Sequence, residues 1–478
     1  MQVQSGQDIP ISVVGSSVFG RYPKINLEKT YNLFISDSWL VNYPGYEKTV
    51  EISTQGVGRG IFNSIRGAFI LTVVGSIVYR INEDLVPRQV GAIKTVTGDV
   101  YIDENLATQI CLVDGVDAYI YNYETGTFTA QNLTFGADPV LPGYVCYHNT
   151  FFLIASSEDS VNSENWYVYD RDTDSTIVQI NQFSIQNKPD DSLLVSRLPG
   201  RGNNIIVMGS ISAEVWTQVG GVNNYSKIQS FNIDNGIVSV STFASSDTYA
   251  CWLAQNEKNS PFIVVSNGSD FNRISSDGID HLLDQISYPE QSTAFFYRRD
   301  GHLFYQITFY NEDDDLSLVY DFTTQKFFHL SDQDLSYYPA RKVVYFGEDT
   351  YFVSINDGFL RKMDTEITTY DGEEIPRIRI CNTVRKEDSD RFRAGMFTFW
   401  IEQGEAWKYI TAPRVDMSIS KNGNASFGNV VSKTLNPEGQ YRNQIRWWRM
   451  GEANEFTIQL RFWGFDRFVC SAGTLTVY

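Results

Sequence analysis

Four histidines, His148, His281, His302 and His329, are the whole imidazole supply of this 478-residue chain. They are too few and too scattered for the usual metal or acid-base constellations. Each falls at or beside a turn or strand end, where a solvated or capping role fits better than a catalytic one. Asp170, Asp172 and Asp174 begin like a calcium loop, but Ser175 stands where the sharp turn needs glycine and Asn181 where the cage needs an acid. A hairpin tip is the expectation there. The chain has no nucleophile elbow, zinc-binding helix motif or phosphate loop, and the glycines from Gly56 to Gly60 lack dinucleotide-binding spacing and precede a strand. Cys111, Cys146, Cys251, Cys381 and Cys470 sit singly in apolar runs, as buried free thiols do. With 57 acids, a pair of glycosidase carboxylates can be drawn almost anywhere, so such a pair carries no specificity. The reading is a non-enzyme with no catalytic residue, cofactor or metal ligand.

Two clusters remain. Glu312, Asp313, Asp314 and Asp315 crowd four acids between two strands, which keeps a tip solvated or lines an acidic surface. Arg446, Trp447, Trp448 and Arg449 combine the residue types that most often anchor protein interfaces, although strand alternation alone also puts one Trp inward and one outward. Arg449 is placed for cation-π stacking on one of the rings.

Repeating β segments must position these clusters. Turns, apolar and aromatic runs, and a Gly, Asn or Asp followed by a second run recur at intervals of about 40 to 50 residues, the length of a four-stranded propeller blade. Seven such segments can be traced, from FILTVVGSIVYRI to KVVYFGEDTYFVSINDGFLRKMD. The 28 Tyr and 31 Phe against 6 Met favour pleated surfaces. The expected fold is all-β: a β-propeller of six or seven blades (56–384), an N-terminal arm packing on a platform (1–55), and a C-terminal antiparallel β-sandwich-like platform domain (385–478). A set of β-sandwiches is the competing architecture. One connecting helix is expected over Ile279 to Ile286, where Ile279, Leu282, Leu283 and Ile286 share a stripe.

The net charge of −19 argues against a protein that coats a phosphate backbone. From Arg385 onward there are 13 basic and 10 acidic residues, against 25 basic and 47 acidic before it, so the two regions face different partners. No apolar run approaches the ~18 residues of a membrane span, and the N-terminus lacks the features of a secretion signal, which predicts a soluble protein with no membrane insertion.

Pro10, Ile11, Gly15, Ser16, Arg21, Asn32, Leu33 and Phe34, then Pro44 and Gly45, then Arg59, Gly60, Gly75, Val78 and Tyr79, form a pattern that resembles the tail hub, packaged-DNA stabilisation or tail nozzle proteins of short-tailed bacteriophages. The closing RWWRMG and FTIQLR segments are similar again. The resemblance implies a structural virion protein assembled in the host cytoplasm: a homo-hexamer below a head-to-tail adaptor, carrying tail fibre, spike or needle proteins, with non-specific passage of double-stranded DNA through its bore. An acidic bore repels phosphates within about a Debye length of ~8–10 Å, so Glu312 to Asp315 are candidates for a lumenal loop and Arg446 to Arg449 for an interface. The alternative is a carbohydrate-binding, receptor-binding propeller.

Overall fold

The computed structural model describes residues 6–21, 27–200, 202–221, 224–258, 260–311, 313–386, 390–403, 413–435, 442–464 and 468–478. Seven antiparallel sheets follow one another as blades 1 to 7, over residues 58–92, 101–131, 142–184, 194–233, 236–273, 292–330 and 340–364. In blades 1, 2, 3, 4 and 6, four sequential strands pair in chain order. In blade 7, Ala340–Phe346, Asp349–Ser354 and Phe359–Asp364 take their fourth strand from Gly45–Glu51, with Met363 opposite Tyr46 and Phe359 opposite Glu51. Residues 45–51, assigned by sequence to the arm, thus clasp the last blade from the chain segment that precedes the first.

Second strands such as Phe69–Val74, Gln109–Val113 and Asn204–Met208 are buried almost throughout, because a neighbouring blade covers each face. This is why the sequence shows continuous apolar runs there, while the outermost strand of blade 1, Pro87–Ala92, is polar and half exposed. One apolar cluster lies between each pair of successive blades. The cluster of Ile52, Ile70, Val74, Val353 and Leu360 joins blade 7 to blade 1 and closes the ring. Between blades 3 and 4, Trp166 meets Trp216 edge to face at 5.5 Å, a geometry that adds about 0.5–1.5 kcal/mol beyond the area it buries. The fold is therefore a seven-bladed β-propeller.

Thr369–Tyr370 and Glu373–Glu374 extend the blade 7 sheet beyond Gly45–Glu51, Thr134–Phe135 and Asp138–Pro139 form a separate short hairpin, and the other strands build a two-sheet sandwich. Its first sheet runs Leu33–Ser36, Trp39–Asn42, Phe468–Val477, Phe392–Gln403 and Arg442–Ala453, with Gln7–Ile11 also paired to Phe468–Val477. Its second runs Lys29–Tyr31, Arg377–Ile380, Glu455–Trp463, Arg414–Ser420 and Val431–Thr434. Phe456, Ile458, Leu460 and Phe462 all point into the core between the sheets, as their alternation predicts. Arg377–Ile380 lies in this sandwich, although the sequence places it before the 384/385 boundary, in a charged stretch containing Pro376 that reads as a connector. The second sheet is continuous with blade 6, because Tyr31 pairs in parallel with His329 of the blade's outermost strand, giving one ten-stranded sheet. The expected helix forms over Asp277–Leu283, between blades 5 and 6.

Candidate functional surfaces

The arm is held by Arg379, which is fully buried. Its guanidinium donates to the carbonyls of Ser12 (Nε, 3.0 Å), Val13 (3.1 Å) and Ser16 (Nη1, 3.0 Å), to Thr30 Oγ1 at 3.1 Å, and to the Glu28 carboxylate. Arg59, also buried, does the same inside the ring: it donates to the carbonyls of Gly98 (2.7 Å), Gly75 (2.8 Å) and Thr95 (2.7 Å), fixing the connection between blades 1 and 2. Gly15, Arg59 and Gly75, which stand out in the sequence pattern, are thus parts of two locks on carbonyl-rich backbone.

Three of the four histidines are buried struts, a correction to the solvated or capping role expected of them. His329 stacks between Phe19 and Tyr31 at 5.1 and 4.7 Å, and its Nδ1 is 2.8 Å from Ser17 Oγ. Burial, reinforced by the Lys29 charge, lowers its pKa to about 3. His148 bridges Tyr225 Oη at 2.8 Å and the Gly202 carbonyl at 3.0 Å, and burial lowers its pKa too.

His302 lies 2.9 Å from Asp321 Oδ2 through Nδ1 and 3.2 Å from Ser36 Oγ through Nε2. This is the order of a Ser-His-Asp set, but the group serves to pin the Ser36 hairpin of the sandwich to blade 6. The imidazole is stacked against Phe304 and crossed by Phe34, and the Asp321 carboxylate also accepts from Thr323 N and Thr324 Oγ1.

Two further ion pairs link separate blades or their connections: Asp103 of blade 2 with the half-exposed Arg197 of blade 4 at 3.1 Å, and Asp99 with the buried Arg341 of blade 7. All five cysteines are buried free thiols, and burial pushes Cys146 up to about 11. Among the described residues no group of three or more metal-binding side chains assembles. The tip after Thr173 is the expected hairpin, between Asn165–Thr173 and Thr176–Ser184.

The acidic cluster occupies the hairpin between the second and third strands of blade 6, His302–Asn311 and Asp314–Asp321. Glu312 lies outside the described residues. Asp313 and Asp315 are exposed, whereas Asp314 is buried and accepts from the backbone N–H of Ser287 (2.9 Å) and Tyr288 (2.8 Å), so it holds the loop after the helix.

In the sandwich, Arg446–Arg449 belong to Arg442–Ala453, at the end of the first sheet's strand order. Trp447 points inward, stacked near Phe397 and Phe399 and donating to the Val431 carbonyl at 3.0 Å. Trp448 is 62% exposed. A bulge between Ala394 and Met396, opposite Arg449 at positive φ, turns Trp448 and Arg449 outward together. Arg446 and Trp400 share this outer face, and the arginine stacked on a ring there is Arg442, over Trp400 at 5.0 Å.

A third feature, invisible in the sequence, lies on the propeller axis. Two cavities of about 560 and 700 Å³ share Phe243, Ser245, Ser246 and Asp247; Arg298 and Lys342 line the first, Tyr144 and Arg197 the second.

The molecule is a closed propeller braced by a sandwich, with buried charges joining its elements and Trp448 and Arg449 displayed on an outer face. The chain belongs to the phage stabilisation family described as bacteriophage P22 Gp10, β-propeller, whose family model matches residues 15–368. It is a phage structural protein. The matched span runs from the arm through blade 7, and most of the sandwich follows it. No curated protein matches the chain. Among solved structures, virginiamycin B lyase from Staphylococcus aureus is similar at a TM-score of 0.46 and 11% identity, covering 66% of this chain and 99% of that one. The WD40 β-propeller domain of Doa1 gives a TM-score of 0.42 and 9% identity over 67% of this chain and 97% of the other. The N-terminal domain of Nup159 gives a TM-score of 0.40 and 12% identity over 70% and 98%.

Proposed function

We propose that this chain is the tail hub, or nozzle, of a short-tailed phage. Six copies form a ring below the head-to-tail adaptor in the virion, after assembly in the host cytoplasm. The ring retains packaged double-stranded DNA, provides its ejection conduit and carries tail fibre, spike or needle proteins, with no bond made or broken and no membrane inserted.

The observation that carries this reading is the ten-stranded sheet running without a break from blade 6 into the sandwich. It fixes an acidic propeller at a constant offset from a face bearing Trp400, Trp448, Arg446 and Arg449. Two unlike patches held rigidly in one protomer suit heterologous contacts that repeat around an axis and close. A wall drawn from the acidic region, with 25 basic and 47 acidic residues before Arg385, lets DNA slide without gripping phosphates.

Native mass spectrometry and electron microscopy of the full chain mixed with adaptor rings test the proposal. Rings of six on the adaptor, indifferent to a glycan array, are expected. A monomer that ignores the adaptor and binds sugars overturns it in favour of a receptor-binding propeller.

A further inference from the structure

Blade 5 is built unlike the other six. Its inner edge is split into Gly236–Ile237 and the two-residue strand Ala244–Ser245, with a 3-10 turn at Val240–Thr242 between them. The innermost strands of the other blades run from 4 to 8 residues. The shortened strand leaves space on both sides, and the two axial cavities occupy it. Their lining comes from the innermost strands of blades 3 to 7 and from the first-to-second-strand turns of blades 4 and 5, whereas the acidic hairpin of blade 6 joins second to third strands.

The lining is cationic where the chain is acidic: with Arg197 paired to Asp103, Arg298 and Lys342 stand against the single lining carboxylate of Asp247, where the whole sequence has 38 basic to 57 acidic residues. Lys342 Nζ donates to the carbonyls of Ser241 (2.6 Å) and Ala294 (2.7 Å), which leaves the third of its N–H donors for a ligand. Burial lowers its pKa to about 8, with Asp99 opposing and Arg341 assisting. Arg299 is neutralised by Asp364 at 2.7 Å, but its neighbour Arg298 has no ion pair among the described residues. Arg197 spends Nη2 on Asp103 and its side chain remains 58% exposed. Phe243 and Phe296 supply apolar wall between the cations.

We propose that this axial recess binds an acidic peptide segment of a partner protein, with carboxylates on Lys342, Arg298 and Arg197 and apolar side chains against Phe243 and Phe296. The inference is independent of the ring reading. The apolar wall of Phe243 and Phe296 between the cations suits the Phe or Leu side chains of a peptide, which a phosphate backbone lacks.

Fluorescence anisotropy with the full chain decides it, using a labelled peptide of alternating Glu with Phe and Leu, and the same peptide with Gln for every Glu. The Glu peptide is expected to bind at least about tenfold more tightly, the factor that losing one charge-assisted hydrogen bond brings. Arg298→Glu, at an exposed position, weakens binding by a similar factor with the thermal midpoint unchanged, and Lys342→Met does so where circular dichroism shows it folded. Binding also falls as the pH rises from about 7 to about 9 and Lys342 loses its proton; Asp247 and Arg298 line the same cavity, with Tyr345 held neutral by a burial-raised pKa. Equal affinity for the Glu and Gln peptides, no binding by about 1 mM, an unaffected Arg298→Glu protein, or displacement of the peptide by a lower concentration of single-stranded oligonucleotide each overturns the proposal.

Discussion

Gly15 packs its backbone against the guanidinium of Arg379 with no room for a side chain: a Cβ there would lie 2.7 Å from Arg379 Cζ and nearer still to Nη2. The glycine is required for space, because the guanidinium must reach the carbonyls of Ser12, Val13 and Ser16. Gly15→Ala is expected to destabilise the protein by about 1–3 kcal/mol through overpacking. Arg379→Met costs more, about 3–5 kcal/mol, because Glu28 is left without its partner. Urea denaturation gives both values, and protease cleavage within the arm rises in the same order. An unchanged midpoint for Gly15→Ala would show that the arm is not held at this point.

Acid should loosen the arm at His329. Its pKa is about 3 in the folded protein, against about 6.5 when unfolded. Above about pH 6.5 neither state carries the proton; as the pH falls below that value the unfolded chain binds it first, so stability is lost progressively down to the folded pKa. At a pH of about 5 the loss is about 2 kcal/mol. The protection factors of the Ser17 and Tyr31 amides, corrected for the slower intrinsic exchange at acid pH, are expected to fall between pH ~7 and ~5, and His329→Gln is expected to flatten that dependence. An equal fall in the variant would place the acid sensitivity elsewhere.

Much of the ring is legible in the sequence because strands covered on both faces must be apolar throughout: FILTVV and NIIVM announce blades by composition alone. The closing strand is not, since Gly45–Glu51 is outermost and exposes Glu47, Lys48 and Thr49, and its partner Phe359–Asp364 is remote in the chain. Arg377 and Arg379 look like a charged connector, yet both are fully buried, because main-chain carbonyls of other segments satisfy them; nothing local announces those carbonyls. The alternation of Trp447 and Trp448 is readable, whereas the bulge that turns Arg449 outward with Trp448 is not. The axial cavities come from a strand that stops short, and in VSVSTFASSDT a missing strand looks like any loop.

The two adjacent tryptophans should separate folding from assembly. Trp447→Ala removes a buried ring and its bond to Val431, which costs about 3–5 kcal/mol. Trp448→Ala changes stability by no more than about 0.5 kcal/mol. Under the hub reading Trp448→Ala nevertheless weakens assembly on adaptor rings, as loss of an exposed aromatic anchor does. Size-exclusion chromatography with light scattering reads the assembly. Full assembly by Trp448→Ala would remove this face from the contact.

The acidic hairpin of blade 6 offers the sharpest test of the conduit, provided its members are separated. Asp314 caps the backbone of Ser287 and Tyr288, so Asp314→Asn weakens two charge-assisted bonds and is expected to lower stability by about 1–3 kcal/mol whatever the hairpin faces. Asp313 and Asp315 are exposed and make no such call on the fold. Converting both to lysine shifts the local charge by four units at little cost in stability. If the hairpin lines the DNA path, phosphates are then attracted where they were repelled, and ejection slows most at low salt, where screening is weakest. Time-resolved ejection from purified virions in the presence of a nuclease measures this. The double variant is expected to eject more slowly than wild type at low ionic strength and to recover as salt is added, while Asp314→Asn virions lose tail integrity without a salt-dependent rate. Identical ejection curves for wild type and the double lysine variant would take the hairpin out of the bore.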